Sequence, residues 1–185
     1  MQKSIDPRVI RTRRLLMNAL TELIVEEGVN AVTIREIVRK AEVNRSTFYL
    51  HFFDKQDILT QMQDEILNEL AESLKFPAFT YEAALHDYQN SKIPIKSLVS
   101  LIQHIQKHAS LYQTMLNERD FRERFTEVIR TEAFRLQNSF WEAAFVSNGA
   151  VGVILYWLES GMKESIMEMS LWLTRVSLVP LGKFA

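Results

Sequence analysis

Residues 33–55 read TIREIVRKAEVNRSTFYLHFFDK, and the spacing within them decides the fold. Thr33 followed by Glu36 is a capping box, in which the Thr33 hydroxyl accepts from the third amide of a helix and Glu36 reaches back. That helix ends near Ala41. After Glu42 and Val43, Asn44 is placed to cap a third, very short helix that ends around His51. At about 100° per residue, Phe48 and Phe52 share one face a turn apart. Ser46 and Leu50 point roughly the opposite way, flanked by Thr47 and Tyr49. A short helix anchored by two aromatics, with hydroxyls outward, suits the major groove of a duplex, which admits one helix and is read by its N-terminal residues.

Upstream, a first helix runs from about Pro7 to Glu27, with Leu16, Leu20, Leu23 and Ile24 on one face and Gly28 as the stop. Downstream, Asp54 and Asp57 open a long connecting helix with an apolar stripe of Ile58, Leu59, Met62, Ile66, Leu67, Leu70 and Leu74. Residues 76–96 lack a sustained period. They read as a loop with one short helix, from which Phe79, Tyr81 and Tyr88 project. Further helices follow at about 95–107, 108–117, 121–138, 140–161 and 165–180, the last opened by a second capping box, Ser165 to Glu168. With only 5 Gly and 4 Pro in 185 residues, the fold class is all-α. The reading divides the chain into residues 1–59, with a helix-turn-helix at about 33–51, and a helical domain over 60–185.

Composition narrows the function. A hydrophobic fraction of 47% with 24% charged residues is that of an ordinary globular chain, and the absence of cysteine excludes disulfides and thiolate metal sites. Residues 1–60 hold ten Lys+Arg against eight Asp+Glu, whereas residues 61–185 hold twelve against fifteen, so positive charge sits at the helix-turn-helix end. No export signal is visible, and the apolar run from Ala150 to Leu158 is far short of the roughly 18–20 residues that span a bilayer. The expected setting is cytoplasmic, without a membrane. No Gly-rich phosphate loop, G-x-S-x-G elbow, H-E-x-x-H pair or cysteine nucleophile is present, so an enzyme is not expected. His104 and His108 lie one helical turn apart, but no Glu or Cys partner stands at a telling spacing. No metal and no cofactor are expected.

Arg13, Ala19-Leu20, Gly28, Thr33 to Ile37, Val43 to Phe52, Lys55 and Leu59 together resemble the DNA-binding domain of the TetR (tetracycline repressor) family over about 50 residues. Residues 148–162 also resemble the C-terminal domains of a subgroup common in low-GC Gram-positive bacteria. The resemblance implies base contacts by Arg35, Arg45, Ser46, Thr47 and Leu50, and phosphate contacts by Thr33, Asn44, Tyr49, His51 and Lys55. Two positions depart from the family pattern. Glu42 stands where Gly is usual, which calls for a left-handed residue at a cost of roughly 1 kcal/mol, and Val38 replaces a small Ala.

The partners implied are double-stranded DNA, a second copy of the chain and a small-molecule effector. Gly149, Gly152, Val153, Tyr156, Trp157, Leu171, Leu173 and Val176 are the expected dimer residues, with packing inside the chain as the plain alternative. Tyr112, Met115, Phe121, Phe125, Phe134 and Phe145 are the expected pocket residues, or else core. Two functional readings stand: a homodimeric repressor released by a small molecule, and an activator or co-activator of the same fold that answers to a protein partner.

Overall fold

The computed structural model describes residues 6–75, 80–137 and 139–178. Ten helices and no strand occur among them: α1 (Pro7–Glu27), α2 (Ile34–Lys40), α3 (Arg45–His51), α4 (Lys55–Ser73), α5 (Tyr81–Ser91), α6 (Lys96–Lys107), α7 (Ala109–Met115), α8 (Arg119–Gln137), α9 (Phe140–Glu159) and α10 (Ile166–Leu178). Contacts divide the chain into two units, residues 1–66 and 67–185.

In the first unit α1, α2 and α3 pack on one another. The Asp6 side chain accepts from the Arg8 amide and Pro7 opens α1, where its missing N–H costs nothing. Leu16, Leu20 and Ile24 meet Ile37, Phe48, Phe52 and Ile58 in a fully buried core. α1 stops at Gly28, whose φ of 83° a side chain would resist. Arg13 is turned inward: its guanidinium lies 4.9 Å from the centre of the Phe52 ring and bonds Gln61 on α4.

In the second unit α9 packs along α8, and α10 packs on α6, α5 and α9. Ala143, Ser147 and Ala150 form the buried stripe of α9, small enough to let a neighbouring helix approach closely. The Ile95 amide donates to Thr174 Oγ1 at 2.9 Å, and the Tyr81 hydroxyl donates to the Leu178 carbonyl, tying both ends of the α5 region to α10. The 76–96 stretch is therefore more ordered than its lack of period suggests, since α5 fills eleven residues of it. Tyr81 and Tyr88, expected to project, pack on the cluster of Ala84, Ile95 and Leu178; Phe76, Pro77 and Phe79 lie outside the described residues. Between α9 and α10 the buried Trp157 donates its indole N–H to the Glu164 carbonyl at 3.0 Å and fixes the turn.

Candidate nucleic-acid interface

The interface is built on α2 and α3. The expected capping box opens α2: the Thr33 amide donates to Glu36 Oε2 at 2.9 Å, and the Glu36 amide donates to Thr33 Oγ1 at 3.4 Å. The Thr33 hydroxyl also donates to Glu36, and this bond foremost holds the carboxyl below the usual carboxylate range. Arg35 and Arg39, one turn apart, are both exposed. Lys40 is committed elsewhere, with its ammonium 2.6 Å from Glu26 and 3.3 Å from Glu22 on α1, a pairing that raises its pKa and staples α2 down.

The turn into α3 rests on Glu42, which has the left-handed φ of 55° that the missing glycine implies. The Val43 amide bonds the Val38 carbonyl at 3.0 Å and the Glu42 amide bonds that of Arg39 at 3.3 Å. This is a Schellman closure with a carboxylate at the glycine position. Asn44 corrects one expectation: its side chain makes no capping bond and is exposed, so the start of α3 is set by the turn instead.

Phe48 and Phe52 are buried beneath α3, each worth about 1.5–3 kcal/mol as a buried aromatic, and they fix which face remains outside. On that face Leu50 is 82% exposed, Arg45, Ser46 and Tyr49 are exposed, and Thr47 and His51 are half-buried. Arg45 donates to the Tyr49 hydroxyl at 3.2 Å and lies 5.8 Å from the centre of that ring, so the guanidinium is held in place before any ligand arrives. Lys55 donates to the Asn30 carbonyl at 3.3 Å and bridges α4 to the loop after α1. Sequence reasoning passed over Phe53, which is 84% exposed. Its signal was present, because Phe52 is extended (φ −138°, ψ 140°) and neighbours in extended backbone point to opposite sides. Arg39 was equally legible as the i+4 partner of Arg35.

The expected pocket residues divide between core and surface. Tyr112, Met115, Phe121 and Phe125 are fully packed core: Tyr112 sits 5.3 Å from Phe125 and 6.0 Å from Phe121, ring centre to ring centre, because α7 and α8 close on one another. Phe134 is exposed, and of the six only Phe145 lines the apolar cavity of about 170 Å³ that opens among α6, α8, α9 and α10. Leu98, Leu101, Ile129 and Trp172 belong to that wall, and Glu132 is its charged member. The expected dimer residues also separate. Trp157 and Leu173 are buried within the unit, whereas Gly149 and Gly152 are exposed, Tyr156 is 72% exposed, and Val153, Leu171 and Val176 are half-buried. A Cβ added at Gly149 or Gly152 would meet nothing within 4 Å.

Known proteins agree with this arrangement. The family described as "Bacterial regulatory proteins, tetR family" matches residues 16–62, and "Transcriptional regulator C-terminal region" matches residues 94–177. The HTH-type transcriptional regulator YxbF of Bacillus subtilis is 31% identical over 100 residues, 54% of this chain and 26% of that protein. The chain spans about a quarter of the length of the curated relatives it matches. Among solved structures, the fatty acid degradation regulator FadR of Bacillus halodurans superposes with a TM-score of 0.65 at 15% identity, covering 97% of this chain and 99% of that one. FadR of Bacillus subtilis, solved with stearoyl-CoA, gives 0.63 at 16%, covering 90% and 97%. No helix among the described residues is long and apolar enough to cross a membrane. With residues 16–62 and 94–177 both matched by models of bacterial transcriptional regulators, the chain belongs to the TetR family of bacterial regulatory proteins.

Proposed function

We propose that this protein is a sequence-specific DNA-binding transcriptional regulator, a homodimeric repressor that reads a pseudo-palindromic operator and is released by a small apolar effector. Residues 1–59 are the reading domain and residues 60–185 the regulatory and dimerisation domain. The observation that carries the reading is the outer face of α3: an apolar Leu50 left almost wholly in water, beside an Arg45 already bonded to Tyr49, over the buried Phe48 and Phe52. An exposed leucine there has no use inside the chain, whereas a thymine methyl gives it a partner. Arg35, Arg45, Ser46, Thr47 and Leu50 take the base edges; Thr33, Asn44, Tyr49, His51 and Lys55 take phosphates and set register.

One short helix reads few base pairs, so specificity requires two copies with recognition helices about 34 Å apart or a multiple of it. The exposed Gly149–Gly152–Tyr156 side of α9, open to close approach, is the surface for the second copy. The cavity of about 170 Å³ is comparable to an engineered cavity of ~150 Å³ that takes benzene, and its apolar wall fits an aromatic or a short acyl group. The test is binding to the DNA upstream of the protein's own gene against random duplex, by fluorescence anisotropy at several salt concentrations. Arg45→Ala is expected to cost about 1–3 kcal/mol on the operator and to flatten the preference, while Lys55→Ala weakens both duplexes alike and lowers the salt slope. The opposite pattern would overturn the roles, and equal affinity for all duplexes in the unaltered protein would overturn the function.

A further inference from the structure

Three metal-binding side chains from two separate stretches of the chain meet where α4 faces the α6–α7 corner. His104 lies in the last turn of α6 and His108 is its C-cap; the His108 amide donates to the His104 carbonyl at 3.2 Å, so the two imidazoles stand one turn apart, 4.9 Å between centres. Glu69 on α4 brings Oε1 to 3.9 Å from His104 Nδ1 and 3.6 Å from His108 Nε2. One donor atom from each of the three lies within 4.8 Å of the others. The edges of a tetrahedral site with bonds of about 2.1 Å measure ~3.4 Å, so the measured distances need only small side-chain rotations to close on an ion.

The surroundings also point to a ligand. His104 is only 6% exposed, and its Nε2, the Nε2 of His108 and the hydroxyl of Tyr112 are buried without a hydrogen-bond partner. Of these, His108 Nε2 is the atom that faces Glu69 Oε1, and an ion held between them would give it a partner. Glu69 and Lys107 are charged neighbours of His104, and the Lys107 ammonium lies 2.7 Å from Glu69 Oε1 on the exposed side.

We propose that Glu69, His104 and His108 bind a divalent first-row transition cation, zinc or a close neighbour, with a fourth coordination position open to water or to a donor atom of a ligand. Two imidazoles in a three-donor set select this class over magnesium and calcium, which take all-oxygen shells. The site is distinct from the apolar cavity, whose wall contains none of the three residues.

The experiment uses the untagged full chain, stripped with chelator and titrated with cobalt(II). One equivalent per chain should produce visible d–d absorption of a nitrogen- and oxygen-bound ion, bleached by one equivalent of zinc and unaffected by excess magnesium. Zinc affinity, read by competition with a chromophoric chelator, should fall at least as far as the roughly 10–100-fold seen when a metal ligand merely loses its supporting partner, both in Glu69→Gln and in His108→Ala. Neither residue is core, so both variants are expected to keep the unaltered protein's circular dichroism, and His86→Ala, an exposed histidine on α5, is expected to bind as the unaltered chain does. Absence of the cobalt spectrum, affinity only in the millimolar range, or binding unchanged in the folded Glu69→Gln and His108→Ala chains would each overturn the site.

Discussion

Glu42 is the residue at which local strain and function meet. Its left-handed backbone is the one a glycine occupies at lower energy, and the Schellman bonds around it depend on the backbone alone. Glu42→Gly is therefore expected to stabilise the protein by about 1 kcal/mol in urea unfolding. It also removes a carboxylate from the rim of the proposed DNA surface, so affinity for operator and random duplex should rise together, most at low salt. No stabilisation would mean that Glu42 holds a compensating contact. At this scale the sequence was informative wherever the cause was local. The left-handed Glu42 and the outward Leu50 both follow from positions within a few residues. Arg13 was not legible, because its place over Phe52 exists only once α1 and α3 have packed, and neither was Glu69, which reaches His104 from 35 positions upstream.

Among elements, three helix starts carry the same device. Glu36, Asp57 and Glu168 are each held below the usual carboxylate range, Glu36 and Glu168 chiefly by the hydroxyls of Thr33 and Ser165, and Asp57 chiefly by the Phe53 amide. A carboxylate whose folded pKa is depressed contributes stability that is present above its unfolded value, near 4.5 for Glu and 3.8 for Asp, and is lost as the pH falls through the folded value. Glu36→Gln, Asp57→Asn and Glu168→Gln keep an acceptor without the charge. The combined variant should accordingly be less stable than the unaltered chain at pH 7 and approach it at pH 3; a difference that does not narrow would remove the charge from the explanation. Helix limits were readable for the same reason that caps work, since Pro7, Gly28, Thr33 and Ser165 act on their own backbone. α5 was underestimated because its side chains earn their burial against α10, which no local period records.

For the whole molecule, the decisive question is what covers α9. Its small residues divide between two sides: Ala143, Ser147 and Ala150 face inward, whereas Gly149 and Gly152 have open space where a side chain would stand. Gly152→Leu is expected to leave the isolated chain folded, and even to favour α9 by up to about 1 kcal/mol of helix propensity, while converting a dimer to a monomer in light scattering and abolishing operator binding with it. A dimer that persists would place the interface elsewhere. The pocket residues named from sequence were mostly core because aromatics at helical spacing satisfy either role, and only the closing of α7 on α8 decides between them. The tryptophans give this molecule a built-in spectroscopic division. All three lie on α9 and α10: Trp157 is sealed with its indole N–H bonded, while Trp141 and Trp172 meet solvent. Intrinsic emission therefore combines one blue, shielded emitter with two red, quenchable ones, and residues 1–66 contribute only tyrosine and phenylalanine. Acrylamide quenching can follow events at α9 and α10 in the presence of duplex, with no label attached and no tryptophan signal from the reading helix.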